Sequence, residues 1–253
     1  MNLYFTPLGY EKVAGSVSYF FYVKGAKKLM NFTASGLTKP NLISFAPLSF
    51  WESTFPKDEG PGFMLDEAQS TLIQKSERVG IFDVRILRGC GAWMDEGRAV
   101  IHVGNKLFVD GVETEITDID SEFLYERQRS MEFRQAEPLT AEQASELPRL
   151  LGELSWEKPH FGDLLAGWCA VAPICGAMPW RSHIWLTGGA GTGKSWTFNN
   201  VIKKLTGKFA MSCQSSTTAA YIRQELKSDA RPVIFDEAEA NTKGSTANLD
   251  NVL

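Results

Sequence analysis

The residues best suited to chemistry form a glycine-rich segment, GGAGTGKS, over residues 188–195. It fits the phosphate-binding pattern GxxxxGK[ST], and it follows an apolar, strand-like stretch and precedes a helical pattern. Glycines let the backbone curl so that successive N–H groups point into one concavity, and the next helix adds its positive end. We therefore predict a nucleotide site formed by Gly188, Gly189, Ala190, Gly191, Thr192, Gly193, Lys194, Ser195 and Trp196.

A second motif, RPVIFDEA over residues 231–238, follows about forty residues later. Its apolar strand delivers Asp236 and Glu237 at the carboxyl end, where ligands bind in open α/β sheets. We expect Lys194 to contact the β- and γ-phosphates, while Ser195 and Asp236 serve Mg²⁺. Glu237 is predicted to polarise the attacking water as general base. The two motifs together predict ATP hydrolysis with Mg²⁺, with Glu237 and Lys194 as the catalytic residues.

Other candidate residues favour structural roles. Trp168, Trp180 and Trp185 precede the glycine-rich segment, where purine pockets often lie, yet core packing is the favoured interpretation for each, and for Trp196. The four cysteines show no CxxC spacing, so neither a zinc site nor a disulfide framework is expected. No Ser/His/Asp or Cys/His arrangement follows from the spacing.

The elements that must position these motifs alternate in the second half of the chain. Strands are predicted at 183–187, 209–213 and 232–235, and helices at 195–205 and 217–226. Such alternation indicates βαβ units on a parallel sheet. Before them, a helix capped by Thr140 is predicted to reach Leu151, followed by an apolar helix around 164–178.

The first half reads as short strands and helices. The predictions are a hairpin of 16–23 with 28–33, helices at 42–51 and 66–78, and strands at 81–87, 99–103 and 106–109. The predicted fold is therefore an α/β P-loop NTPase with a partial parallel sheet, preceded by an α+β N-terminal domain. The predicted division is an accessory domain over 1–126, a helical linker over 127–179 and the first half of the ATPase over 180–253.

Composition sets the broad class. The chain has 253 residues, 43% of them hydrophobic, and a formal net charge of −4, which disfavours a strongly basic nucleic-acid coat protein. The N-terminus lacks the pattern of a signal peptide, and the most apolar stretch is interrupted by Gly167, Pro173 and Gly176. We expect a cytoplasmic protein without a membrane segment.

Several segments resemble the primase–helicase proteins of phages, prophages and plasmids, whose ATPase belongs to the superfamily 3 branch of the AAA+ class. The similar segments are residues 165–168, 172–177 and 179–188 before the glycine-rich segment, residues 218–224 before the acidic motif, and 8–10, 48–51, 88–91 and 102–105 in the first half. The resemblance implies a replicative helicase that assembles into a hexameric ring, hydrolyses ATP between subunits and translocates on single-stranded DNA. It also makes the predicted partial parallel sheet AAA+-like. Apart from the resemblance, a separate hypothesis is that the N-terminal domain recruits a replication or defence partner.

The chain departs from that family in two ways. It ends at Leu253, about sixteen residues after Glu237, so the family's later strands, sensor residue and arginine finger have no counterpart, and we expect a fragment of a longer protein. No primase motif is visible either. Two other readings stay open: an assembly or partner-recruitment module controlled by nucleotide without helicase activity, and a phage packaging motor.

Overall fold

The computed structural model describes residues 3–13, 15–133, 135–214 and 217–236. Over these ranges the chain has mixed α and β content, with several small sheets that are mostly antiparallel. It divides into two compact units: unit 1 comprises residues 1–87 and 124–127, and unit 2 comprises 88–123 and 128–253. None of the described helices is both long and apolar enough to cross a bilayer.

Unit 1 contains an antiparallel sheet of strands β1 (Phe5–Val13), β2 (Ser16–Val23) and β3 (Lys28–Thr33). The predicted hairpin is confirmed, because β2 pairs with β3 from Ser18–Thr33 to Val23–Lys28. Strand β1 was not predicted, since a proline and a glycine interrupt its alternation. Its register shifts between Pro7 and Gly9, where Gly9 has φ +118° and a side chain would collide with the carbonyl of Gly80.

The helices of unit 1 are α1 (Lys39–Phe45), α2 (Leu48–Thr54) and α3 (Leu65–Val79). Helix α3 matches the predicted helix at 66–78, and Gly80 ends it with φ +102°. The single helix predicted at 42–51 is wrong, because Pro47 separates two helices. The residue before a proline is biased away from helical angles, and Ala46 is extended, with φ −152° and ψ 155°.

Trp51 is the centre of the unit 1 core. Its side chain is fully buried, and its ring stacks against Phe5 and Phe63. The indole Nε1 donates to the carbonyl of Leu42 at 2.8 Å and to that of Ala46 at 3.1 Å, so its polar group is satisfied despite burial. Trp51 belongs to the segment at 48–51 that resembles the phage-type proteins, and its role in this structure is core packing.

The strand predicted at 81–87 is also wrong. A 3-10 turn over Val84–Ile86 occupies its place, followed by the two-residue strand β4 (Leu87–Arg88). The Asp83 carboxylate accepts a hydrogen bond from the backbone N–H of Arg85 at 2.9 Å and so caps this turn. The chain re-enters unit 1 with the short strand β9 (Leu124–Tyr125).

Unit 2 begins with a four-stranded antiparallel sheet. Its strands are β5 (Gly91–Asp95), β6 (Arg98–His102), β7 (Leu107–Val109) and β8 (Val112–Thr114). Strands β6 and β7 confirm the predicted strands at 99–103 and 106–109. Residues 88–123 group with the later chain rather than with residues 1–87, which differs from the predicted division after residue 126. Backbone hydrogen bonds explain this grouping, because Gln128 donates to Gly104 at 2.6 Å and Met131 to Val103 at 2.8 Å.

The remainder of unit 2 is mainly helical, with one pair of strands. Its elements are α4 (Ala141–Gly152), α5 (Phe161–Val171), α6 (Lys194–Thr197), a π-helical turn (Phe198–Ile202), α7 (Lys203–Thr206), β10 (Met211–Gln214), α8 (Ala219–Leu226) and β11 (Val233–Asp236). The predicted capping box is confirmed: Thr140 Oγ1 accepts from the Gln143 N–H, and Gln143 Oε1 accepts from the Thr140 N–H.

Strands β10 and β11 pair in parallel and are joined by α8, which makes one βαβ unit. The strand predicted at 183–187 is wrong, because these residues form no ladder with any described strand. They do keep a strand-like alternation, with Ile184 and Leu186 partly buried and their neighbours exposed. The mixed α and β class is thus confirmed, while the larger parallel P-loop sheet stays a prediction.

Candidate functional site

The predicted phosphate-binding loop forms a tight turn closed by its own side chains. The Lys194 ammonium donates to the carbonyl oxygens of Gly188 at 2.6 Å and Gly189 at 2.8 Å. Thr192 Oγ1 also donates to the Gly189 carbonyl at 2.8 Å. The lysine therefore curls back over the loop that precedes it, and its ammonium lies on two neutral carbonyl oxygens.

Backbone conformation explains the glycines of this loop. Gly191 and Gly193 have φ +76° and +88°, in the left-handed region that side chains disfavour. Gly193 is the N-cap of α6, and its carbonyl accepts the first helical hydrogen bond, from the Thr197 N–H at 2.9 Å. The next residues, starting with Lys194 and the exposed Ser195, thus present the start of a helix to the loop.

The helix after the loop runs from Lys194 to Thr206 through the π-helical turn. Phe198 and Ile202, in that turn, are buried in a core cluster that also contains Ile234 of β11. Ile184, just before the loop, packs against the same cluster. The helix that follows the loop and the strand that ends at Asp236 therefore share one hydrophobic core, as expected if the two predicted motifs belong to one site.

A cavity of about 1170 Å³ opens beside the loop. Gly188, Thr192, Gly193 and Lys194 form part of its wall. Most of the remaining wall is apolar, and its aromatic side chains are those of Trp156, Phe161, Trp168, Trp180, Trp185 and Trp196. The polar or charged side chains of the wall also include those of Glu157, Asp163, Arg181 and His183. A mostly apolar cavity with a few polar groups is the usual form of a small-molecule site.

The packing role favoured for three of these tryptophans is wrong. Trp180, Trp185 and Trp196 are 72%, 58% and 57% exposed, and all three line the cavity. Trp168 is partly buried, and its Nε1 donates to the Ser182 carbonyl at 3.1 Å. Trp180, Trp185 and Trp196 therefore lie on the wall of the cavity rather than in a core.

Two aromatic residues of the cavity, Trp156 and Phe161, were missed in the sequence. A signal for them existed, since five of the seven tryptophans lie between residues 156 and 196. Trp156 is also fixed in place, because its Nε1 donates to the Leu151 carbonyl at 2.7 Å.

The acidic motif is described only in part. Asp236 is the last residue of β11, and its backbone pairs with Gln214 of β10. Its side chain and the whole of Glu237 lie outside the described residues, so the roles predicted for these two carboxylates stay predictions. Among the described residues no group of three or more His, Cys, Asp or Glu side chains could hold a metal ion.

The four cysteines are free thiols. Cys169 belongs to the core cluster that contains Phe198 and Ile234, and burial raises its pKa to about 11. Burial, and next the Asp229 carboxylate, raise the pKa of Cys90 to about 12. Both groups are thus neutral thiols at neutral pH, which is unlike an activated nucleophile.

No protein-family model, curated protein or solved structure matches the chain.

Proposed function

We propose that the chain binds ATP with Mg²⁺ on residues 188–195 and hydrolyses it, as the ATPase of a phage- or mobile-element-type replicative DNA helicase in the cytoplasm. The observation that carries the proposal is the position of Lys194, whose ammonium lies on two loop carbonyls, 2.6 and 2.8 Å away, at the start of a helix. Charged phosphate oxygens are stronger acceptors than neutral carbonyls, so a triphosphate would exchange for these two bonds.

The cavity beside the loop gives the rest of the nucleotide a place. With the triphosphate on the glycine-rich segment, the base and ribose would occupy the cavity and contact Trp168, Trp180 and Trp185 on its wall. Base–aromatic stacking contributes about 1–3 kcal/mol per base, so one such contact would add substantially to affinity. The cavity volume of about 1170 Å³ is sufficient for a ligand of nucleotide size.

The residues near the phosphates fit a magnesium ion by their chemistry. The Ser195 hydroxyl is exposed on the first turn of α6, and Asp236 ends a strand that shares a core with that helix. Hydroxyl and carboxylate oxygens are the donors that Mg²⁺ prefers. Bound there, Mg²⁺ would offset the negative charge of the triphosphate. Glu237 would accept the proton of the attacking water, and Lys194 would stabilise charge on the transferred phosphoryl group.

Helicase activity and a homo-oligomeric ring come from the resemblance to phage-type primase–helicases. A replication partner bound through the N-terminal residues is a separate part of the proposal. A second candidate is an assembly module controlled by nucleotide. The net charge of −4 favours this candidate, since a DNA motor needs positively charged side chains where it contacts the DNA phosphates. Both candidates bind ATP, but only the motor couples hydrolysis to DNA.

The test measures ATP hydrolysis with Mg²⁺, with and without single-stranded DNA. A helicase ATPase should hydrolyse ATP, respond to single-stranded DNA with a higher rate, and lose activity on Lys194→Ala. An unchanged rate in Lys194→Ala would contradict the site. Hydrolysis that depends on Lys194 but ignores single-stranded DNA would favour the assembly module.

A further inference from the structure

Asp229, four residues before the start of β11, is a buried carboxylate that the proposed chemistry does not use. Its side chain is 4% exposed. Its Oδ1 accepts hydrogen bonds from the Cys90 N–H at 2.8 Å and from Gln128 Nε2 at 2.9 Å. These partners lie 139 and 101 positions away in the chain, so Asp229 joins three distant segments of unit 2.

Main-chain hydrogen bonds continue the junction on both sides of Asp229. The Gly89 N–H donates to the Ser228 carbonyl at 2.9 Å, and the Ala230 N–H donates to the Cys90 carbonyl at 2.8 Å. Gly91, the first residue of β5, forms a parallel bridge with Ala230. Residues 228–230 are thus fastened to residues 89–91, at the edge of the antiparallel sheet. We call this junction the Asp229 clamp.

Glycines make the close approach possible. A side chain at Gly89 would collide with the Asp229 carboxylate, and one at Gly91 or Gly176 would collide with Ala230. Gly91 also has φ +140°, which disfavours any other residue. Glycines at these three positions let the backbones approach closely. They give a structural reason for the glycines in the segment Arg88–Gly91, which has no role in the proposed nucleotide site.

Arg231 extends the clamp to the neighbouring strand. Its Nη1 lies 3.5 Å from Asp229 Oδ2, its Nε donates to the Phe209 carbonyl at 3.0 Å, and its Nη2 donates to the Lys208 carbonyl at 3.2 Å. Phe209 precedes β10 by two residues. Asp229 and Arg231 therefore hold the beginnings of both parallel strands.

Burying a carboxylate costs free energy because its charge is removed from water, and filling the space would not by itself require a charged group. Burial raises the pKa of Asp229, while Gln128, Cys90 and Arg231 lower it through hydrogen bonds and charge, and burial outweighs them. An apolar side chain of similar size would avoid that cost. The carboxylate instead accepts hydrogen bonds from the Cys90 N–H and the Gln128 amide, which an apolar side chain could not do.

We propose that Asp229 is a positioning residue for ATP hydrolysis, an inference that rests on the proposed function: by fastening residues 228–231 to residues 89–91, it sets the place at which β11 ends, at Asp236, directly before the predicted general base in the sequence. The loop at 188–195 does not depend on this clamp for its own hydrogen bonds. Loss of the clamp therefore affects the catalytic step more strongly than the binding of ATP to the loop.

The test compares Asp229→Ala with Asp229→Asn, which keeps an acceptor oxygen, and with Glu225→Ala, an exposed acid on α8, as the matched control. For Asp229→Ala we expect kcat to fall about tenfold or more with the KM for ATP within about twofold of wild type, because small displacements of catalytic groups are costly. Asp229→Asn should recover most of the rate, and Glu225→Ala should behave as wild type.

Amide hydrogen exchange tests the clamp without relying on activity. In Asp229→Ala, amides of β10 and β11 should exchange about tenfold faster or more, while those of β2 in unit 1 stay unchanged. Unchanged exchange would overturn the clamp. Faster exchange with unchanged kcat would overturn its role in hydrolysis. A wild-type protein without ATPase activity would instead overturn the proposed function, and exchange would still decide the clamp.

Discussion

Replacing Tyr22 with phenylalanine probes how the returning segment, residues 124–127, is held in unit 1. Tyr22 is 8% exposed, and its hydroxyl donates to the Tyr125 carbonyl at 2.9 Å. Burial, and next the neighbouring Glu126 carboxylate, raise the pKa of Tyr22 from 10.0 to about 12. The same hydroxyl therefore has two separable effects on stability, one at neutral pH and one in alkali.

At pH 7, Tyr22→Phe removes one buried hydrogen bond and should lower the free energy of unfolding by about 1 kcal/mol. In alkali the difference in the free energy of unfolding between Tyr22→Phe and wild type changes sign. A raised pKa in the folded state gives stability that is complete below pH 10 and is lost as the pH rises through about 12. The full shift corresponds to about 2.7 kcal/mol, so the stabilities of the two proteins should cross near about pH 11.

Urea unfolding followed by circular dichroism, from pH 7 to pH 12, measures this difference. Tyr221→Phe, at a site that is 51% exposed, is the control and should track wild type at neutral pH. Other groups titrate in both proteins, so the difference between Tyr22→Phe and wild type isolates one hydroxyl. A constant difference across the whole pH range would refute the reasoning.

Two further predictions concern unit 2. Trp185→Ala should weaken ATP binding by about 1–2 kcal/mol while leaving the binding of inorganic tripolyphosphate unchanged, because only the base would contact the ring; equal loss for both ligands in calorimetry would argue against a base site. Thr140→Ala should lower the free energy of unfolding by about 1 kcal/mol through loss of the capping box at α4, and urea denaturation checks it; no change would mean that the cap is not needed.

Local patterns in the sequence predicted the local structure well. The alternation over residues 16–33 gave the hairpin, and Thr140 with Gln143 gave the start of α4. The apolar runs near residues 209 and 232 gave β10 and β11. In each case the deciding interactions lie within a few residues, so spacing and residue type carry them.

Interactions between distant segments were not visible in the sequence. Nothing near Gly89 or Asp229 marks a contact across 139 positions, and the grouping of residues 88–123 with the later chain depends on such contacts. The stretch at 183–187 has the composition and alternation of a strand, yet a strand needs a ladder partner, which composition cannot supply.

The sequence predicted the glycine-rich loop followed by a helix at residues 188–197, and it misjudged the setting of three tryptophans beside that loop. The phosphate-binding pattern fixes the positions of Gly193 and Lys194 in one short loop, because its spelling reflects local backbone geometry. Whether Trp185 or Trp196 faces a core or a cavity depends on what other elements cover it. The residue type alone does not distinguish a tryptophan in a core from one on a cavity wall.

The central claim is that the loop at Lys194 binds the triphosphate of ATP. Isothermal titration of the wild-type chain with ATP and Mg²⁺, beside Lys194→Ala, tests it most directly. We expect one saturable site in wild type and an affinity about 100-fold lower in the variant, since two charge-assisted hydrogen bonds contribute about 3 kcal/mol. Equal affinities in the two proteins, or no binding to wild type, would contradict it.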